Sequence, residues 1–228
     1  MIISHKHKFI FLKTHKTGGT SLQIALSSHC GAEDVISKIH EDDIEILKKA
    51  RGTDQQNAEV PLGRYNGSDW FQYLLRGRKQ YFSEHLDAGN IRRWIGLDIW
   101  NSYYKFCFER NPFDKVLSYY YWRTRNENCS LDDFLSEELR SLSDFNIYSD
   151  HKNILADDVF LYEDLEASVQ ILEDKLKFKI DISKVRAKAN HRPKSQSKED
   201  ELTDDQKMKI ATAFEKEITL FYPKIKRG

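Results

Sequence analysis

Residues 13–21 read Lys-Thr-His-Lys-Thr-Gly-Gly-Thr-Ser, a combination suited to holding an oxyanion. Gly18 and Gly19 let the backbone close on a phosphate with no Cβ in the way. Thr17, Thr20 and Ser21 add hydroxyl donors, and Lys16 adds a mobile positive charge. The nucleotide-kinase loop G-x-x-x-x-G-K-[ST] carries its lysine after the last glycine. Here the lysine comes first, and no glycine lies four residues before the Gly18–Gly19 pair. The segment therefore matches a phosphate loop in physics and departs from it in pattern. A Gly-Gly turn of purely structural use would account for the same residues.

A second segment, 109–118, reads Glu-Arg-Asn-Pro-Phe-Asp-Lys-Val-Leu-Ser. The planar fork of Arg110 suits a phosphate monoester. Ser118 follows Asp114 by four positions, one helical turn, and can donate a second bond. An arginine held in a surface ion pair beside a small serine would explain the pair equally.

These segments need elements to position them. The run Phe-Ile-Phe-Leu at 9–12 predicts a buried strand, and Leu22, Ala25 and Leu26 predict a helix over 20–28 with Gly31 beyond its C-terminus. The first segment would thus join a strand to a helix N-terminus, where free N–H groups and the helix dipole favour anions. Residues 104–108 predict a second buried strand, with Asn111 as N-cap and Pro112 at the first helical position of the helix that follows. A third strand is expected at 159–162, followed by a helix with Leu165, Val169, Leu172 and Leu176 on one face. Thr203 and Gln206 form a capping-box pattern ahead of Ile210, Phe214, Ile218 and Phe221. Strands alternating with helices argue for one α/β domain over 1–228, with a mainly parallel central sheet flanked by helices. Residues 40–80 read as an insertion, helical at 43–50 and looped at 52–68, and 188–201 as a long polar loop.

The chain has 228 residues, 36 Lys and Arg against 36 Asp and Glu. That balance argues against a global basic field of the kind that holds nucleic acid. Cys30, Cys107 and Cys129 have neither metal nor redox spacing, which favours a reducing compartment. Residues 1–8 read as an exposed charged tail, including His5 and His7. No apolar run is long enough for a membrane span, so a cytoplasmic protein is expected. No Asp/His cluster suggests a metal.

Taken together, the two segments resemble the 3′-phosphoadenosine 5′-phosphosulfate (PAPS)-dependent sulfotransferases, specifically the branch that includes carbohydrate sulfotransferases. The family's 5′-phosphosulfate loop, P-K-T-G-G-T-S-L, is similar to residues 15–22, which depart from it only at His15. The family's 3′-phosphate motif, R-N-P-x-D-[RK]-x-x-S, is matched from Arg110 to Ser118. The resemblance is firm over 8–28 and 81–162 and weak in the insertion. It implies that Lys16 touches the sulfate and its bridging oxygen, that Thr17, Gly18, Gly19, Thr20 and Ser21 hold the 5′-phosphate, and that Arg110 and Ser118 hold the 3′-phosphate. It also implies a late loop closing over the nucleotide, for which 191–197, with Arg192 and Lys194, is the candidate. A polar linker is the competing reading of that stretch.

An acceptor hydroxyl needs a proton acceptor, and histidine has a suitable ordinary pKa. His29, His40, His151 and His191 lie in polar turns, and His15 is placed to touch an anion. His85, in the apolar-aromatic stretch 81–86, stands where the family places its base, with Glu84 as the second candidate. The expected reaction is sulfo transfer to a hydroxyl. The acceptor is a carbohydrate on the strength of Trp70, Phe71, Tyr73, Arg76, Arg78 and Lys79, whose rings and charges a solvated helix would also explain. A P-loop-like small-molecule kinase and a non-catalytic nucleotide-binding module are the alternatives.

Overall fold

The structure, a computed structural model, describes residues 1–39, 55–124, 129–150, 152–182 and 202–225. In chain order these form β1 (Ile2–Ser4), β2 (Phe9–Leu12), α1 (Gly19–Ser27), β3 (Val35–Ile36), α2 (Gly67–Arg76), α3 (Ala88–Ile95), α4 (Leu97–Ser102), β4 (Tyr104–Glu109) and α5 (Pro112–Arg123). There follow α6 (Leu131–Glu138), α7 (Phe145–Tyr148), β5 (Asp158–Leu161), α8 (Leu165–Leu176), α9 (Asp204–Ala213) and α10 (Glu215–Phe221).

The strands make one sheet in the order β3-β1-β2-β4-β5. Pairing of β2 with β4 and of β4 with β5 is parallel, whereas β1 pairs antiparallel with both β2 and β3. The sheet is therefore mixed, mostly parallel in its central strands as expected but antiparallel where the chain before Phe9 contributes β1. That strand corrects the reading of residues 1–8 as an exposed tail. Ile2 and Ile3 are fully buried, His5 Nδ1 lies 2.8 Å from the Tyr103 hydroxyl, and His7 packs edge-on against Phe178. The lysines at 6 and 8 that suggested a tail stay exposed in the turn of the hairpin, where Lys8 adopts a left-handed φ of 53°.

Alternation along the strands builds two cores. Phe9, Phe11, Phe106, Phe108 and Phe160 face one side, where α1 and α8 cover them through Leu22, Leu26, Val169 and Leu172. Ile10, Leu12 and Cys107 face the other, packing with Ile91 and Trp94 of α3 and Tyr148 of α7. A third cluster joins α5, α6, α9 and α10 through Val116, Phe134, Ile210, Phe214 and Ile218. Asn111 caps α5 by accepting from Phe113 N at 3.0 Å, with Pro112 in the first turn. Thr203 and Gln206 form the capping box of α9. The α1 helix ends at Ser27 with Ser28 as its cap, so Gly31 is not a helix terminator. Its N–H instead donates to Asp34 Oδ2 at 2.9 Å.

Because β2, β4 and β5 run parallel, their C-terminal ends lie along one edge of the sheet, the edge where open α/β folds place ligands. The segments leaving Leu12, Glu109 and Leu161 converge there.

Candidate functional site

Beyond Leu12 the chain turns through Lys16 and Gly18, both in the left-handed region at φ 57° and 70°, before α1 begins at Gly19. Gly18 accepts the first helical bond, from Leu22 N at 3.1 Å. The N–H groups of the first turn of α1 have no earlier turn to bond to, so they form a cradle of donors at the strand edge. Gly19 is needed for a second reason. A Cβ there would come within 2.9 Å of Lys13 Cγ and 3.4 Å of the Thr14 carbonyl oxygen.

Lys13 is buried beneath this turn. Its Nζ donates to Glu84 Oε2 at 2.7 Å and to Thr20 Oγ1 at 3.1 Å. Burial pushes the Lys13 ammonium down, partly offset by Glu84. Burial would raise Glu84, but the charge and hydrogen bond of Lys13 outweigh it, and the carboxyl sits below its ordinary range. The Thr17 hydroxyl is fully buried and bonds to Thr14 Oγ1 at 3.0 Å. Thr14 in turn donates to the Phe108 carbonyl, clamping the turn to β4. The Thr17 side chain is thus spent inside the turn. Thr20 accepts from Lys13, which leaves its O–H a donor. Ser21 is buried in the first turn of α1.

Arg110 leaves the end of β4 and donates from Nη1 to the Lys16 carbonyl at 2.9 Å, with its guanidinium 4.8 Å from the Tyr162 ring centroid. Lys16 Nζ lies 5.0 Å from the centroid of the Trp122 ring on α5. Ser118 is half-buried on α5. The structure therefore brings the two sequence segments to one sheet edge, as their spacing suggested. Arg192 and Lys194 lie outside the described residues, as do His40, His151, His191 and the helix expected at 43–50.

His15 and His85, separated by 70 positions in the chain, stack at 3.6 Å between ring centroids and 21° between planes. His85 Nδ1 lies 2.9 Å from the Lys13 carbonyl, which fixes a proton on that nitrogen and leaves the Nε2 lone pair free. Nε2 is 3.6 Å from Glu84 Oε2. Burial, with the charges of His15 and Lys13, pushes His85 down to about 3, so the ring is neutral at physiological pH. His15 is held on its other side by Asp144. The backbone N–H of His15 donates to Oδ2 at 2.7 Å, and Nδ1 lies 2.6 Å from Oδ1.

Asp144 belongs to a buried charge cluster that the sequence did not reveal. Lys115 Nζ contacts Asp144 Oδ2 at 2.6 Å and Glu109 Oε1 at 2.5 Å. Tyr148 donates its hydroxyl to Glu109 Oε2 at 2.9 Å. Burial would raise Asp144, but Lys115 and His15 hold it down to about 2. Burial would lower Lys115, but the two carboxylates push it above its ordinary value. Asp144 lies 129 residues from His15, in a loop with no local motif, so no spacing signal could have joined them. Lys115 and Glu109 stood within the second segment, but nothing in a linear reading distinguishes a buried cation from a solvated one.

Beside this edge is a groove of about 860 Å³ lined by α2, α3 and the stretch containing Ser83 and Leu86, which flank Glu84 and His85. Among the described residues, no three His, Cys, Asp or Glu side chains gather as a metal-binding group, and no helix is long and apolar enough to cross a membrane.

No family model matches the chain, and no solved structure matches it. An uncharacterized protein of Archaeoglobus fulgidus is 33% identical over 91 residues, a stretch covering 37% of this chain and 76% of that protein. At that identity and coverage, this chain belongs to the family of that archaeal protein.

Proposed function

We propose that this protein is a sulfotransferase that moves a sulfo group from PAPS to an acceptor hydroxyl, that of a carbohydrate or glycoconjugate. The observation that carries the reading is the convergence of the Lys16–Ser21 turn and Arg110 on one sheet edge, joined by the Arg110–Lys16 hydrogen bond. A helix N-terminus with a glycine approach suits a 5′-phosphosulfate, and an arginine at the neighbouring strand end suits a 3′-phosphate. A kinase would place its lysine after the glycines, and this chain does not.

In the reaction, the acceptor oxygen forms a bond to sulfur while the bond from sulfur to the bridging oxygen breaks. Adenosine 3′,5′-bisphosphate leaves, and Lys16 neutralises the charge developing on it. Positioning and electrostatics carry most of such a transfer, as in phosphoryl transfer. The acceptor proton passes to the stacked imidazole pair. His85 is the base expected from its position in the chain, and its neutral ring presents an Nε2 lone pair. A second reading gains from the Asp144 contact: His15, with Nδ1 against a buried carboxylate, has the orientation by which an Asp–His pair holds an arriving proton on the other nitrogen.

The pH dependence of kcat/KM with PAPS and a panel of hydroxyl acceptors tests the function and separates the two bases. If His85 is the base, the acidic limb falls near pH 3, where its ring titrates, and disappears in His85→Gln. If His15 is the base, the limb disappears in His15→Gln and survives in His85→Gln. Turnover with no acceptor in the panel, together with no binding of adenosine 3′,5′-bisphosphate by calorimetry, would remove the proposal.

A further inference from the structure

The α2 helix is inverted relative to an ordinary surface helix. Its inward side carries Asp69, buried and bonded to Arg93 and to the N–H of Asn66. Trp70 and Tyr73 pack edge-on against Tyr65. Its outward side carries Phe71, Leu74 and Leu75, spaced i, i+3, i+4, with 63%, 75% and 66% of their surface exposed. Three large apolar side chains aimed outward from two turns of helix mark a contact surface rather than ordinary scatter.

The charge around this face indicates the partner. Residues 55–80 contain four basic side chains, Arg64, Arg76, Arg78 and Lys79, and two acidic ones, Glu59 and Asp69. Glu59 is committed to Lys79 at 2.7 Å and Asp69 to Arg93. The positive charge at Arg76 and Arg78, at the C-terminal end of the apolar face, is thus not offset by acids of its own segment. Three side chains fall well short of the roughly 800 Å² per partner of a stable protein interface. A bilayer fits both features, because apolar side chains enter the acyl boundary while arginines meet anionic headgroups.

We propose that the Phe71, Leu74 and Leu75 face of α2, with Arg76 and Arg78, docks this protein on an anionic membrane surface. The inference is independent of the sulfo transfer proposed above, but it assigns Phe71, Arg76 and Arg78 to a membrane rather than to the acceptor.

Flotation with vesicles of phosphatidylcholine and phosphatidylglycerol in equal parts tests it on the full chain. The wild type floats with these vesicles, floats weakly with phosphatidylcholine alone, and is released by added salt. Leu74→Glu with Leu75→Glu abolishes flotation. Arg76→Ala and Arg78→Ala each weaken it about five-fold, and these exposed substitutions keep the fold intact should the double glutamate variant lose its circular dichroism spectrum. Absence of wild-type flotation overturns the proposal, as does flotation that survives both sets of substitutions. A concentration-dependent dimer in sedimentation velocity, lost in the same variants and indifferent to vesicles, would assign the face to a second copy and equally overturn it.

Discussion

His15 Nδ1 lies 2.6 Å from Oδ1 of Asp144, and the backbone N–H of His15 donates to Oδ2 of the same carboxylate at 2.7 Å. One buried acid thus sets both the path of the backbone entering the turn before α1 and the orientation of an imidazole beside it. Lys115 Nζ holds the same Oδ2 and lies 5.9 Å from the Phe214 ring centroid, so the ring is braced from the third core cluster.

Asp144→Asn keeps the shape and removes the charge. Turnover should fall about 10²–10⁴-fold, the range associated with a misdirected proton acceptor, while affinity for adenosine 3′,5′-bisphosphate stays within a few-fold of wild type by calorimetry. Stability should also fall by about 1.5–3 kcal/mol, because the His15 N–H and Lys115 lose a charged hydrogen-bond partner while Glu109 keeps Lys115 paired. Asp144 titrates at about 2 in the fold against an ordinary 3.8. Its contribution to stability is therefore complete above about pH 4 and is lost as pH falls through 2. Urea midpoints measured across that window should be flatter in the variant than in wild type. A variant with unchanged turnover would show that the contact is only architectural.

His85 makes a separate pH prediction. Its ring titrates at about 3 in the fold and at 6.5 when unfolded, so between those values the unfolded chain binds a proton that the folded chain does not. Stability should rise with pH across this window and level off above 6.5. In His85→Gln the proton uptake on unfolding at pH 5 should drop by one, measured from the pH dependence of the unfolding free energy. An unchanged uptake would mean that the ring is protonated in the fold.

Gly19→Ala should act through Lys13. The new methyl meets Lys13 Cγ at 2.9 Å, and the lysine is too enclosed to swing aside without leaving Glu84 or Thr20. Overpacking of this kind costs about 1–3 kcal/mol. Thermal unfolding should show that loss, and affinity for adenosine 3′,5′-bisphosphate should fall with it. Gly63→Ala serves as the control, since a Cβ there meets nothing within 4 Å.

Arg110→Ala should weaken adenosine 3′,5′-bisphosphate more than AMP, by the roughly 1.5–3 kcal/mol of a charge-assisted contact to the 3′-phosphate. Arg110 also ties down the Lys16 carbonyl, so some loss for AMP is expected as well. Equal losses for both nucleotides in calorimetry would leave Arg110 as a brace for the turn alone.

Elements with strong local signals could be read from the sequence. Phe9–Leu12, Tyr104–Glu109 and α8 announce themselves by periodicity, and Asn111, Pro112, Thr203 and Gln206 by capping chemistry. The hairpin of Ile2–Ser4 was hidden because a three-residue strand flanked by histidines and lysines has no period to detect. The Lys13–Ser21 turn between β2 and α1 and the place of Arg110 at the end of β4 were legible from their flanking elements. Lys13 was not, because its role depends on a carboxylate 71 positions later. The Glu109–Lys115–Asp144 cluster is likewise made by packing across elements, and His15 could be placed near an anion but not against Asp144.

That cluster also constrains how the chain can change over time. Glu109, Lys115, Asp144 and Tyr148 come from β4, α5, the segment before α7, and α7 itself, and in a dry interior one ammonium and one phenol hydroxyl serve two carboxylates. Replacing Lys115 leaves two buried carboxylates without their cation, and the stability lost is a large share of what a domain of this size has to spare. A lineage can leave this arrangement only by exchanging several residues nearly together, or by passing through forms that barely fold. The four should therefore be inherited as a block, drifting far more slowly than the solvent-facing residues of the helices that carry them.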